Sequence, residues 1–152
     1  MSSSRNEVSR IMLDRVADWL TRAALRGDSL ETIVKGFCDH LAATGMPLLR
    51  AHMSFSMLHP LYDALGFTWT RGKPMEVEGY RKGKDGASER FLTSPYYYLF
   101  AHDLEHLRRR IEPSIRSEFP IFDELKEMGA TDYIAFRHAF DSSEERGMIG
   151  SW

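Results

Sequence analysis

Six histidines, one cysteine, a run of three arginines and a run of three tyrosines are the residues of this 152-residue chain whose types could do chemistry. The histidines are His40, His52, His59, His102, His106 and His138. His102 and His106 are four apart, a spacing that puts two ligands on one face of a helix. Asp103 and Glu105 lie nearby, but no third ligand at fixed spacing completes a metal set, so no metal is expected. Cys38 falls on an apolar helical stripe, where a thiol behaves as a small hydrophobe and burial makes it inert. No Gly-x-Ser-x-Gly elbow and no glycine-rich phosphate loop occurs. Guanidinium forks suit phosphate and carboxylate, so Arg108-Arg109-Arg110 reads either as an anion site or as a solvated strand edge. In a strand, Arg109 points away from its two neighbours. The tyrosines Tyr96, Tyr97 and Tyr98 read as mixed core and surface or as walls for a ligand.

These residues need a scaffold, and the composition describes it. Hydrophobic residues make up 43% and charged residues 28%, with a net charge of -2. That is the balance of an ordinary globular domain, without the basic footprint of a nucleic-acid binder. No apolar run approaches the roughly 18 residues of a spanning helix, and MSSSRNEVSR lacks the apolar stretch of a secretory signal. A single cysteine excludes an internal disulfide framework. A cytoplasmic domain with no membrane and no nucleic-acid partner is expected.

Apolar residues at Val8, Ile11, Met12, Val16, Trp19, Leu20 and Ala23 follow a helical period, and Gly27 supplies a left-handed stop. A second helix opens at Asp28 or Ser29, carries Leu30, Ile33, Val34, Phe37, Cys38, Leu41 and Ala42, and ends at Gly45. The period then becomes two. Leu49, Ala51, Met53, Phe55 and Met57 alternate with Arg50, His52, Ser54 and Ser56, the pattern of a half-buried strand. Further strands are predicted over about 64–71, 75–80, 106–111, 133–140 and from Gly147 onward. Residues 81–90 read as an exposed loop. Ser94-Pro95 starts one short helix, and a second carries Ile121, Phe122, Leu125 and Met128 up to Gly129. Turns too short for a crossover make the strands antiparallel. The fold class is therefore α+β, a mostly antiparallel sheet with a helical hairpin on one face and short helices and loops on the other. One domain over 1–152 is expected, with the hairpin at about 7–45 and the sheet at about 48–152. The chain ends on Trp152 inside an apolar strand pattern, so further sheet is expected to follow it.

Seven strings in order carry a resemblance: Leu13–Leu20 (LDRVADWL), Gly45–Arg50 (GMPLLR), Leu58–Tyr62 (LHPLY), Gly66–Trp69 (GFTW), Phe119–Leu125 (FPIFDEL), Gly129–Tyr133 (GATDY) and Gly147–Trp152 (GMIGSW). From about Leu13 to Trp152 the chain resembles the N-terminal, GAF-like sensor region of bacterial class III adenylate/guanylate cyclases. The resemblance implies a regulatory position upstream of a cyclase catalytic domain. The metal-binding and nucleotide-reading residues of such a cyclase lie beyond the matched region, so no catalytic residue is carried over and no cofactor is expected.

GAF-like folds hold ligands between the sheet and the inserted loops and short helices. On that basis His59, Tyr62, Trp69, Tyr97, Arg109 and Tyr133 are the candidate ligand-binding residues, aromatic walls with a few polar handles. The same residues also read as packing, with His59-Pro60 ordering a turn. Two functions therefore stand side by side. One is a non-enzymatic sensor that biases an attached cyclase, with a small ligand as its candidate signal. The other is a ligand-free dimerisation or protein-interaction module. Class III cyclase sites form between two catalytic domains, so the resemblance also implies a homodimer.

Overall fold

A computed structural model describes residues 10–58, 60–81, 88–142 and 146–152. The element order is α1 (Arg10–Arg26), α2 (Leu30–Ala43), β1 (Arg50–Ser56), β2 (Tyr62–Thr70), β3 (Glu76–Arg81), α3 (Glu89–Leu92), α4 (Pro95–Ala101), β4 (His106–Arg110), α5 (Ile121–Glu127), β5 (Asp132–Ala139) and β6 (Gly147–Ser151). The six strands form one sheet in the order β3-β2-β1-β6-β5-β4. Consecutive strands joined by short turns lie side by side, and the pairs β1–β6, β5–β6 and β4–β5 are antiparallel. The class is α+β, as the sequence implies. The first and last strands meet at the centre, with His52 opposite Ser151 and Phe55 opposite Met148.

The chain divides into two compact units, one of residues up to Ala51 with Phe67–Val77, the other of His52–Gly66 with Glu78–Trp152. In the first unit the hairpin forms where the apolar stripes predict it. Gly27 takes φ 73°, the left-handed stop that ends α1. The Ser29 side chain accepts from the Thr32 amide and caps α2. Val16 and Ala23 of α1 and Val34, Cys38 and Leu41 of α2 are buried. The helices approach closely at Gly36, where a Cβ would sit 2.3 Å from the Trp19 ring. A glycine inside a helix is costly by propensity; here its missing side chain admits the indole. That ring stacks on His40 with centroids 4.5 Å apart. Trp69, only 7% exposed, donates its indole N–H to Asp39 Oδ1 at 2.8 Å. Lys35 holds the other carboxylate oxygen at 2.6 Å. Desolvation pushes the Asp39 pKa up, but the hydrogen bonds from Lys35 and Trp69 outweigh it and the net shift is downward.

In the second unit the core is Leu99, Leu107, Ile111, Phe119, Phe122, Leu125, Tyr133 and Ala135. Ser94 caps α4 by accepting from the Tyr97 amide, with Pro95 at the first helical position. One element departs from the sequence expectation. Inside the stretch read as loop, Ser88 caps a one-turn helix, α3. A single turn has too few residues to show a period, which hid it. The segment from His102 to His106 is no helix: His102 caps α4 and His106 opens β4. The two imidazoles therefore do not share a helix face.

No helix among the described residues is long and apolar enough to cross a membrane.

Candidate functional site

A connected group of polar and aromatic side chains lies in the second unit, on one face of the sheet. Register defines that face. Leu107, Ala135, Ser151 and His52 form one cross-strand row through β4, β5, β6 and β1, and Arg109 stands opposite Tyr133 in the next. Residues directly opposite in antiparallel strands share a face, so the two rows look the same way. Helix α4 packs here: the Tyr96 hydroxyl and the Ser151 hydroxyl share a hydrogen bond of 2.7 Å, and the His52 ring lies 6.0 Å from the Tyr96 ring.

An aromatic chain supports the β4–β5 end of this face. Tyr98 meets Phe119 edge-on at 5.7 Å, Phe119 meets Phe122 at 5.3 Å, and Phe122 meets Tyr133 at 5.1 Å. Edge-to-face pairs of this kind fix relative ring positions beyond simple area burial. They tie α4, the connector after β4, α5 and β5 together. Arg109 lies over the Tyr98 ring at 5.9 Å and donates two hydrogen bonds to Glu118, Nε to Oε2 at 2.7 Å and Nη2 to Oε1 at 3.2 Å. The forked geometry holds the guanidinium in place, and the Glu118 hydrogen bond raises its pKa further. Arg108 points the other way, as alternation requires, and pairs with Asp132. That hydrogen bond is the main reason the Asp132 carboxyl is held below its ordinary range.

The six candidate residues are dispersed. Arg109 and Tyr133 are neighbours, as cross-strand partners. Tyr133 is 4% exposed and belongs to the core. Tyr62 lies over Gly79, where a Cβ would sit 2.6 Å from the ring. Tyr97 is 42% exposed and meets Phe91 edge-on. Trp69 does not join them. Seven positions after Tyr62 on the same strand it has the opposite parity, so it points from the other face and packs with Asp39. His59 lies outside the described residues.

His52, Tyr96, Tyr98, Glu118 and Ser151 also gather here, although none of them is among the six candidates. Alternation in β1 reads His52 and Ser54 as solvent-facing, yet Ser54 is 6% exposed and Ser151 2%. Small hydroxyls fit beneath a covering element, and only the tertiary arrangement shows that one is there. Tyr98 carried a signal in the Tyr96–Tyr98 run; Glu118 carried none.

The histidines do not assemble a metal site: no group of three or more potential ligands occurs among the described residues. His102 instead stacks on Tyr98 with centroids 3.9 Å apart. Cys38 is fully buried, and desolvation pushes its thiol up to about 12. A maleimide reagent at pH 8 is therefore expected to leave Cys38 unmodified in the native protein and to label it stoichiometrically in denaturant. Mass spectrometry reads the difference, and rapid native labelling would contradict the packing role.

No family model matches the chain, and no curated protein or solved structure matches it.

Proposed function

We propose that this chain is a GAF-like regulatory sensor domain that biases a class III adenylate/guanylate cyclase attached downstream and performs no catalysis itself. The observation that carries this reading is the order of the sheet, β3-β2-β1-β6-β5-β4, with a helical hairpin preceding it in the chain. It is consistent with a GAF-like fold and agrees with the seven strings that resemble the cyclase N-terminal region. In this reading a small ligand binds on the sheet face that carries His52, Tyr62, Arg109 and Tyr133. The protein acts in the cytoplasm, and regulation needs a ligand or partner that favours one of two states.

The test places the full chain upstream of a class III catalytic domain. Cyclic-nucleotide output is expected to differ at least about fivefold from that of the catalytic domain alone, the lower end of the usual coupling range. Equal output in both proteins, with and without a metabolite extract, would sink the proposal.

A second reading is a ligand-free dimerisation module, and α1 favours it. Ile11, Met12, Leu13 and Leu25 are all exposed, at 67%, 43%, 39% and 83%. Apolar side chains at this density on one helix suit pairing with a second copy. A stable dimer by sedimentation, whose melting temperature no cyclic nucleotide or metabolite raises, would select this reading over the first.

A further inference from the structure

We infer that the cleft between the end of β4 and α5 is a binding site for a small phosphate or phosphate monoester. This holds whether or not the chain regulates a cyclase. The cleft has a volume of about 110 Å³, and its walls carry Arg109, Arg116 and Lys126 over an apolar floor of Ile111 and Phe122. Arg109, Arg116 and Lys126 stand against Glu112 and Glu118, while Arg110 alternates to the other face of β4, where its charge acts on Asp132. Glu118 is already engaged by Arg109. Lys126 donates one N–H to the Ile115 carbonyl, which steadies the ammonium and leaves its other protons for a ligand. Arg116 has no ion-pair partner among the described residues.

Position explains why these charges converge. Arg109 lies near the end of β4, and the chain then turns back so that Arg116 and α5, with Lys126 in its last turn, flank the same opening. Like charges brought together repel unless an anion sits between them. Guanidinium forks match the paired oxygens of a phosphate, and an ammonium adds a point charge. Arg116 and Lys126, neither in an ion pair among the described residues, supply the two cations that would meet the paired oxygens of a phosphate.

The experiment titrates inorganic phosphate, and separately glycerol phosphate, into the full chain at constant ionic strength, with chloride as the control. Backbone amide shifts and the melting temperature are followed. Saturable shifts confined to about residues 109–126 are expected, and tighter binding of glycerol phosphate would identify the monoester as the natural form. Arg116→Ala and Lys126→Ala are each expected to weaken binding about tenfold, the loss of one charge-assisted contact. Arg22→Ala, which removes an equal charge on α1, is expected to leave binding unchanged. A response that never saturates, or that all three variants share, would show a general salt effect and overturn the proposal. Because the shift map uses the unaltered protein, a variant that folds poorly does not remove the test.

Discussion

Phe122→Ala is expected to lower the stability of the chain by about 3–5 kcal/mol, the range for truncating a buried phenylalanine. Phe122 is 4% exposed and is the middle ring of the aromatic chain, edge-on to both Phe119 and Tyr133. Truncation leaves a void whose walls come from α5, β5 and the connector after β4, so no single side chain can swing in to fill it. The same ring forms part of the floor beneath Arg109 and Arg116. Urea unfolding followed by far-UV circular dichroism gives the loss. Phe122→Leu, which keeps most of the volume, is expected to recover more than half of it. A Phe122→Ala cost below about 1 kcal/mol would mean that the site collapses freely and that the edge-to-face chain is not a rigid support.

Trp69→Ala is expected to cost a similar amount, about 3–5 kcal/mol, for a different combination of reasons. The indole is 7% exposed, and its N–H satisfies Asp39, a carboxylate that also holds Lys35. Trp69→Phe separates the two contributions, since it keeps an aromatic body and deletes only the donor. Its cost is expected to be about 1 kcal/mol, because Asp39 is exposed enough for water to replace the lost bond. If Trp69→Phe costs as much as Trp69→Ala, the hydrogen bond and not the packing dominates. If both variants are silent, the indole does not anchor β2 to α2.

The elements were legible wherever a period ran long enough. Four turns of apolar stripe ending at Gly27, and a second stripe capped by Ser29, define α1 and α2 to within a few residues. Ser94-Pro95 marks the start of α4 because both residues act locally, one through a hydroxyl and one through a fixed φ. The strict alternation of β1 marks a strand for the same reason: each residue's preference depends on its immediate neighbours. One-turn α3 escaped this reading because four residues carry no period.

The site was less legible, because membership in it depends on register and on what covers the sheet. Tyr62 falls before the strand expected over about 64–71, yet it opens β2, where its parity sets it on the face opposite Trp69. Arg109 was separable from Arg108 by alternation alone. Its partner Glu118 was not foreseeable, since the chain must turn after β4 before the two can meet. Ser54 reads as a solvent-facing position but is buried, and Ser151 is interior beside Tyr96 of α4.

For the residues named at the outset as able to do chemistry, local pattern settled one outcome. Cys38 lies on an apolar stripe, and that stripe is buried because a helix presents the same face at every turn. The histidines and the arginine run were decided by the tertiary structure. His102 and His106 part company because α4 stops at Ala101. Arg108 and Arg110 fall to the side of Asp132 and Arg109 to Glu118, because alternation turns neighbours apart while the returning chain brings distant charges together. Sequence spacing sets which residues share an element; the closeness of Arg109 to Arg116 and Lys126 exists only once the elements have packed.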